Sequence, residues 1–402
     1  MAAGYEMQAM PGRERIIATL RGQKTDRVPI WLRDQFNYGG DFRIRNEKIL
    51  DVLLLSDLSD SWVDADPNMQ AIIKYHRRVA GDIIREFVVP NKVCNRLLCI
   101  PPSRISLTDT RFTGNQMYSN YEVYTPKGIL TTVTACEKDV STMWNVKYLV
   151  ESQDDIAKLL SIPYKLESID DTIYRQEDAI LGDRGVLMMQ IDTPIITVSG
   201  LMRFEEFLVM CLEDQLLLRD LCDIAFDRIM KIVEKCLEQG MGTIFRLNGS
   251  EQTTPPMNSP DIYEKFVYPY EKKLIEKIHE YHKFAAVHSH GKISRNLPLM
   301  LDMGLDMLDP IEPPPAGDLD FEEAQKISES KITLAGNVQF SELETADPST
   351  IDMQVRLLLE GKRKDHVILN ATASPITFVS DRLRDNYIAM VDAGIRYGSM
   401  EE

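Results

Sequence analysis

The sequence lacks any apolar segment long enough to cross a membrane. A membrane-spanning helix needs roughly 18 to 20 consecutive apolar residues, and no run in the chain approaches that length. The opening stretch, MAAGYEMQAMPGRERIIATLRG, has no hydrophobic core of the kind that signal peptides carry. These absences predict a cytoplasmic protein without a membrane partner.

Basic residues are few relative to acidic ones. The chain has 46 Lys and Arg against 62 Asp and Glu, which gives a formal net charge of -16 at pH 7. Nucleic-acid sites use clustered Lys and Arg to displace counterions from phosphates, and the sequence has no basic run of that density. The composition therefore argues against nucleic acid as a partner.

Cysteine is also sparse. The six cysteines form no CxxC pair, and none lies at the end of a predicted strand. The pattern therefore does not favour a disulfide framework, an iron-sulfur cluster or a thiolate zinc site.

Short apolar strands alternate with amphipathic helical stretches through the second half of the chain, and two more strands are predicted before it. Short buried strands that alternate with helices form parallel sheets. The sequence therefore predicts an α/β fold, a (β/α)8 TIM barrel. Its predicted strands are 27–33, 86–90, 186–191, 243–247, 284–287, 307–308, 332–335 and 366–369.

The chain of 402 residues exceeds the roughly 250 that such a barrel needs, so it should carry an insertion. The segment 91–145 is rich in Thr, Tyr and β-branched residues, with turns predicted at 113–115 and 126–128. We interpret 1–402 as a single barrel domain in which 91–145 is a β-rich insertion near the barrel mouth.

Polar residues follow the predicted strands, and chemistry in such barrels collects at the carboxyl ends of the strands. His288 and His290 are two residues apart in or after a strand, so both imidazoles point the same way. Glu251 follows the preceding strand and adds a hard oxygen donor. Two His and one carboxylate with an open fourth position predict a catalytic zinc site. Alternatively, one His contacts substrate or supports a residue that does, and the other hydrogen-bonds buried backbone.

Other strand-end residues complete the predicted site. Glu312 is interpreted as a further ligand, a general acid or a cap to a neighbouring Arg, and it joins Glu251, His288 and His290 as a predicted catalytic residue. The asparagines at strand ends could orient substrate or satisfy loop backbone groups. The predicted substrate-binding residues are Arg33, Asp34, Gln35, Asn37, Asn248, Asn337 and Asn370.

Several segments, in this order, resemble the uroporphyrinogen decarboxylase superfamily over nearly the whole chain. Each segment alone is a loose match, but their order is specific. The resemblance implies the barrel fold. The segments are 13–22, 26–31, 125–128, 144–149, 154–156, 288–291, 304–306 and 336–338.

Two branches of that superfamily differ in the residues that form their sites. Porphyrinogen decarboxylases carry an Arg-Gln-Ala-Gly-Arg segment after the first strand, where this chain has the sequence RDQFN at 33–37, with one Arg and an added acid. Corrinoid-linked methyltransferases bind zinc through His-x-Cys and a later Cys. This chain is similar at His288, but has His290 in place of the first Cys and Asn370-Ala371-Thr372 where the later Cys is expected.

The departure from thiolate ligands suggests the substrate. Imidazole and carboxylate ligands leave zinc a harder Lewis acid, which suits an oxygen ligand better than a thiol. The resemblance therefore implies a zinc-dependent methyltransferase of the O-demethylase type. It would cleave a methyl ether, with a methoxylated aromatic as donor, and pass the methyl group to the corrinoid (cobalamin) of a separate protein. No segment of the chain resembles a corrinoid-binding module.

Two alternative functions remain open from the sequence. One is a cofactor-independent decarboxylase of the uroporphyrinogen decarboxylase type, in which Arg33 and a strand-end His act on a carboxylated substrate. The other is a non-catalytic barrel that binds a ligand and delivers it to a partner.

Overall fold

A computed structural model describes residues 10–33, 66–137, 140 and 142–400 of the chain. The strands within these residues are β1 (Ile30–Trp31), β2 (Ile83–Val88), β3 (Ile105–Thr113), β4 (Gln116–Thr125), β5 (Gly128–Glu137), β6 (Met143–Lys147), β7 (Gly185–Asp192), β8 (Ile244–Asn248), β9 (Phe284–His288), β10 (Met307–Asp309), β11 (Thr333–Val338) and β12 (Val367–Ala371).

Helices separate the barrel strands along most of the chain. They are α1 (Gly12–Leu20), α2 (Pro67–Val79), α3 (Gln153–Leu160), α4 (Thr172–Leu181), α5 (Pro194–Ser199), α6 (Phe204–Glu213), α7 (Gln215–Glu238), α8 (Pro260–Phe266), α9 (Tyr268–Glu280), α10 (Leu297–Asp302), α11 (Phe321–Ile327), α12 (Phe340–Thr345), α13 (Pro348–Leu359) and α14 (Asp381–Gly398). None of the helices in the described ranges is long and apolar enough to span a membrane.

Eight strands form one parallel sheet in the order β1-β12-β11-β10-β9-β8-β7-β2, which curls into a nearly closed barrel. The predicted (β/α)8 fold is therefore confirmed. Two strands differ in extent from the prediction. β1 has only two residues, since Pro29 has no N–H to donate and Arg33 adopts a positive φ of 52°. β2 begins at Ile83 and ends before Pro90.

The insertion is a second, antiparallel sheet of four strands in the order β3-β4-β5-β6. Its first two hairpins turn at Gly114-Asn115 and Pro126-Lys127. Gly114 has a φ of 59°, a conformation that costs glycine little because it has no Cβ. The predicted β-rich insertion is present in the N-terminal half, and the division of the chain into domains stays a prediction.

Alternate residues of the barrel strands point to opposite sides. In β7, Val186 and Met188 belong to the apolar cluster inside the barrel, whereas Leu187 and Met189 belong to the cluster shared with the helices. Burial on both faces explains why these strands are almost continuously apolar. The inward cluster contains Ile16, Leu20, Trp31, Ile84, Val186, Met188, Ile244, Ala286, Met307, Ala335 and Ile368.

A polar layer lies directly above this apolar cluster. On seven of the eight barrel strands, or just after them, a polar residue stands two positions after an inward apolar one, so the alternation points it inward too. At the opposite end of the barrel, Ile16 and Leu20 of α1 pack against the inward cluster. The polar layer therefore has a packed floor. Its members are Arg33, Glu86, Gln190, Arg246, His288, Asp309 and Asn370.

Side chains, rather than a strand ladder, join the two ends of the barrel sheet. Ile30 in β1 donates its backbone N–H to the Asp82 carboxylate at 3.1 Å, and Nε2 of His76 lies 2.8 Å from the Ile30 carbonyl oxygen. The same Asp82 carboxylate forms ion pairs with Arg15 of α1 and Arg27, next to β1. Asp82 immediately precedes β2, so this network connects β1, β2 and α1.

We expect Asp82→Asn to destabilise the fold strongly. The neutral amide would leave the buried Arg15 and the partly buried Arg27 without their shared carboxylate, and breaking a buried ion pair on one side costs roughly 3 to 5 kcal/mol. Urea unfolding followed by circular dichroism measures the effect. The exposed Asp183→Asn is the control and should barely move the unfolding midpoint. Equal midpoints for the two variants would contradict the proposed role of Asp82.

Candidate active site

The polar layer is organised by one arginine. Arg246 of β8 donates from Nε to Oδ1 of Asp309 at 3.1 Å and from a terminal nitrogen to Oδ2 at 3.0 Å. Its other terminal nitrogen donates to Glu86 of β2 at 2.8 Å. Arg33, which follows β1, forms a further ion pair with Asp309. The side chains of four strands or strand ends therefore meet at the barrel centre.

Burial governs the electrostatics of this network. Burial, followed by repulsion from Arg246, lowers the pKa of Arg33 to about 9. Burial also lowers the pKa of Arg246, while Glu86 acts in the opposite direction. Arg33 nevertheless stays protonated at pH 7, so two guanidinium groups face the two carboxylates of Glu86 and Asp309. The network is balanced in charge.

His288 lies against this network. Its Nδ1 is 2.6 Å from a terminal nitrogen of Arg246, 3.1 Å from the carbonyl oxygen of Asp309 and 3.2 Å from Oδ2 of Asp309. Burial lowers the pKa of His288 well below its ordinary value, and the nearby guanidinium groups lower it further. The imidazole is therefore neutral at pH 7.

Two tautomers of the neutral His288 ring find partners. A guanidinium group only donates, so the contact with Arg246 requires a lone pair on Nδ1 and a proton on Nε2. In the other tautomer, Nδ1–H donates to Asp309 and leaves the lone pair on Nε2. The position of the proton on His288 is thus coupled to the choice between Arg246 and Asp309 as its partner.

His290 lies on the same side of the chain as His288. The two rings have centroids 4.7 Å apart and are nearly perpendicular, at 88°. Nδ1 of His290 is 3.1 Å from Oε1 of Glu312, whose other oxygen accepts the Gly291 N–H at 2.9 Å. Burial raises the pKa of Glu312, but these hydrogen bonds outweigh burial and its net pKa lies below the ordinary value. Glu312 therefore holds His290 as an ionised acceptor.

Glu251 lies on the short 3-10 helix Ser250–Thr253 that follows β8. Gly249 leads into it with a φ of 108°, and a Cβ there would lie 2.2 Å from Cβ of Ile196. Oε2 of Glu251 is buried and has no hydrogen-bond partner within the described ranges. A buried oxygen without a partner is unfavourable unless a ligand or water completes it.

Glu251 and His290 line the same cavity, which has a volume of 460 Å³. Asn145 of β6 and Tyr148 contribute to its wall, so the antiparallel sheet borders the barrel mouth. The apolar part of the lining comes from Ile196, Met202, Phe204, Pro255, Pro256 and Met257, and the polar part also includes Arg96 and Gln252.

The predicted asparagines have different surroundings. Asn248 donates to Gln190 at 2.9 Å within the polar layer. Asn370 is fully buried, and neither atom of its amide group has a partner among the residues that the structure describes. Asn337 lines a second cavity, of 400 Å³, together with Phe321 of α11 and Leu357 of α13. Asp34, Gln35 and Asn37 lie outside the described residues.

The donor types at the mouth suit zinc. Nδ1 of His288 and Nδ1 of His290 each lie within 3.2 Å of a carboxylate oxygen, and a carboxylate behind the ring is the usual support for a metal-binding imidazole. Glu251 adds an unpaired buried oxygen. Within the described part of the chain, however, no three His, Cys, Asp or Glu side chains are already gathered closely enough to hold an ion. Binding would require Glu251 and the imidazoles to adjust.

The family profile described as Uroporphyrinogen decarboxylase (URO-D) matches residues 136–380, which are 245 of the 402 residues in the chain. The chain belongs to the uroporphyrinogen decarboxylase family. No curated protein sequence matches it significantly.

Solved structures of two methyl-transferring enzymes are similar to this member of the uroporphyrinogen decarboxylase family. A methyltransferase from Methanosarcina mazei is 13% identical, with a TM-score of 0.59 over 96% of this chain and 99% of that chain. A B12-independent methionine synthase from Shewanella sp. W3-18-1, solved in complex with selenomethionine, is 11% identical, with a TM-score of 0.41 over 73% of this chain and 75% of that chain. At 13% identity, the first likeness shows a shared fold.

The part that matches the uroporphyrinogen decarboxylase family contains barrel strands β7 to β12. It therefore includes Arg246, His288 and Asp309, whereas Arg33 and Glu86 precede it. Arg246, Asp309 and Glu86 are site residues that the sequence did not identify. The sequence feature that could have identified these three residues is a charged residue at an inward position of an otherwise apolar strand.

We expect Arg246→Met to destabilise the protein by roughly 3 to 5 kcal/mol, because it leaves Glu86 and Asp309 with less compensation of their buried charge. Adding Glu86→Gln to the same chain removes one of those charges and should restore part of the loss. Guanidinium unfolding measures both variants, with the exposed Arg356→Met as control. A double variant no more stable than Arg246→Met would show that charge balance is not what holds the network.

Proposed function

We propose that this protein is a zinc-dependent methyltransferase that cleaves a methyl ether and passes the methyl group to the cobalt of a separate corrinoid protein. The donor would be a methoxylated aromatic compound. The observation that carries the proposal is the pair of adjacent imidazoles, each with Nδ1 near a carboxylate, of which His290 lies in the wall of a largely apolar cavity. Imidazoles held in this way are suited to metal binding.

The comparisons support the methyltransferase class at the level of the fold. The methyltransferase from Methanosarcina mazei shares the barrel over nearly all of both chains. A common barrel hosts many reactions, so the choice of reaction depends on the site residues.

His288, His290 and Glu251 would hold the zinc. Once bound, zinc would act as a Lewis acid toward the ether oxygen, so that charge on the leaving phenolate is stabilised. The ligand set of two imidazoles and one carboxylate is harder than one with thiolates, which favours an oxygen over a sulfur substrate.

The chain itself would orient the ligands and exclude water. Asp309 and Glu312 hold the two imidazoles through Nδ1, which leaves each Nε2 available to a metal. Because the pKa of Glu312 lies below its ordinary value, this residue is better suited to holding His290 than to donating a proton at neutral pH. The apolar wall, which includes Phe204 and Met257, would pack against an aromatic ring.

A cofactor-independent decarboxylase is the second candidate, and the specific observation in its favour is Arg246. Arg33 and Arg246 together give two buried guanidinium groups near His288. Asp309 and Glu86 already balance their charges, however. A polycarboxylate would therefore find little uncompensated positive charge in this layer, and we favour the methyltransferase.

The zinc proposal predicts the metal content of the purified protein. We expect about one zinc per chain, and loss of most of it in His290→Ala, because a missing ligand leaves the coordination shell incomplete. His279→Ala is the control, since His279 pairs with Asp306 on the outside of the barrel. Mass spectrometry of the metal measures both. Undiminished zinc in His290→Ala would rule out this ligand set.

The reaction can be tested anaerobically with methoxylated aromatics and cob(I)alamin as the methyl acceptor. We expect methylcobalamin, seen by its absorbance, and one demethylated phenol per methyl group transferred. Uroporphyrinogen, incubated in parallel, should release no carbon dioxide. Carbon dioxide release without added metal or corrinoid would instead establish the decarboxylase, and binding of methoxylated compounds without any turnover would favour a non-catalytic binding protein.

A further inference from the structure

Arg96 lines the cavity but takes no part in the proposed methyl transfer. Its side chain is 60% exposed, and its one ion pair with a described residue, from Nε to Oδ2 of Asp192, is long at 3.5 Å. The terminal nitrogens of Arg96 have no hydrogen-bond partner within the described residues. A guanidinium group with both terminal nitrogens available can bind a carboxylate through two parallel hydrogen bonds.

The loop that carries Arg96 is tightly held. The Asn95 side chain donates to the carbonyl oxygens of Lys92 and Ile100, both at 3.0 Å, and accepts the Leu97 N–H at 3.1 Å. On the other side, the backbone of Arg96 packs directly on Gly200, where an added Cβ would lie 2.8 Å from the Arg96 carbonyl oxygen. The backbone at Arg96 is therefore fixed before any ligand arrives.

The rest of the cavity determines what such a carboxylate must be attached to. Ile196, Met202, Phe204 and Met257 offer apolar surface for a ring, and His290 lies in the same wall. Glu251, the acidic group of this lining, belongs to the proposed metal site. An aromatic ring with a methoxyl group at one position and a carboxylate at another would satisfy both the apolar wall and Arg96.

We infer that Arg96 binds a substrate carboxylate and that the substrates are methoxylated aromatic acids rather than neutral methoxyarenes. This inference rests on the proposed function for the identity of the reacting group. Arg96 acts in it as a specificity residue, because it contacts the substrate away from the bond that breaks.

Calorimetric titration of the metal-replete protein with para- and meta-methoxybenzoate, and with the corresponding methoxybenzamides, tests the inference. Each amide keeps the ring and the methoxyl group but has no charge. We expect the wild-type protein to bind one of the acids about tenfold more tightly than its amide, since a charge-assisted bidentate pair is worth at least a factor of this order.

Arg96→Gln should bind acid and amide alike, with the amide affinity unchanged, which also shows that the cavity is intact. Arg356→Gln, an exposed arginine on α13, is the matched control and should retain the full preference. An acid preference that persists in Arg96→Gln, or is missing from the wild-type protein, would overturn the inference.

Methyl transfer to cob(I)alamin, measured with the same compounds, separates this inference from the proposed function. Acid binding that depends on Arg96 without any methylcobalamin would retain the carboxylate site and reject the methyltransferase. Demethylation of acids and amides at equal rates in the wild-type protein and Arg96→Gln would support the methyltransferase and reject the carboxylate site.

Discussion

The buried ion pair between Arg246 and Asp309 is the interaction on which the rest of the barrel mouth depends. Taking these charges out of water is unfavourable by several kcal/mol per ion unless each is well paired. Arg246 meets both oxygens of Asp309 and also reaches Glu86, so its hydrogen-bonding groups are satisfied in one geometry. His288 and Arg33 also contact Asp309, beside the bound guanidinium group of Arg246.

A charge-balanced layer has consequences for the chemistry above it. Because the guanidinium groups are compensated from within the protein, their main effect is to orient neighbours, such as the neutral ring of His288. Recognition of a charged substrate group would then fall to the rim, where Arg96 is only weakly paired. The insertion contributes to that rim through Asn145 and Tyr148. In the proposed function, the floor of the mouth would thus orient groups, while its rim would select the substrate.

Sequence reasoning captured the fold better than the site. The barrel strands could be recognised because burial on both faces makes them short apolar runs between amphipathic helices. Arg246 and Glu86 were not recognised as site residues, because a single charged residue within an apolar run was interpreted only as part of the strand. Asn337 was predicted to bind substrate with the other strand-end residues, but it lines a different cavity. A position at a strand end does not determine which cavity a side chain lines.

The sequence by itself determined that His288 and His290 lie on one side of the chain, because a period of two is a local property of extended backbone. It also determined the eight strands and their order along the chain. Only the tertiary structure decided that Asp309 lies behind His288, Glu312 behind His290, and Arg246 between Glu86 and Asp309. These contacts join strands far apart in sequence, and their register depends on how the barrel closes, which no local pattern encodes.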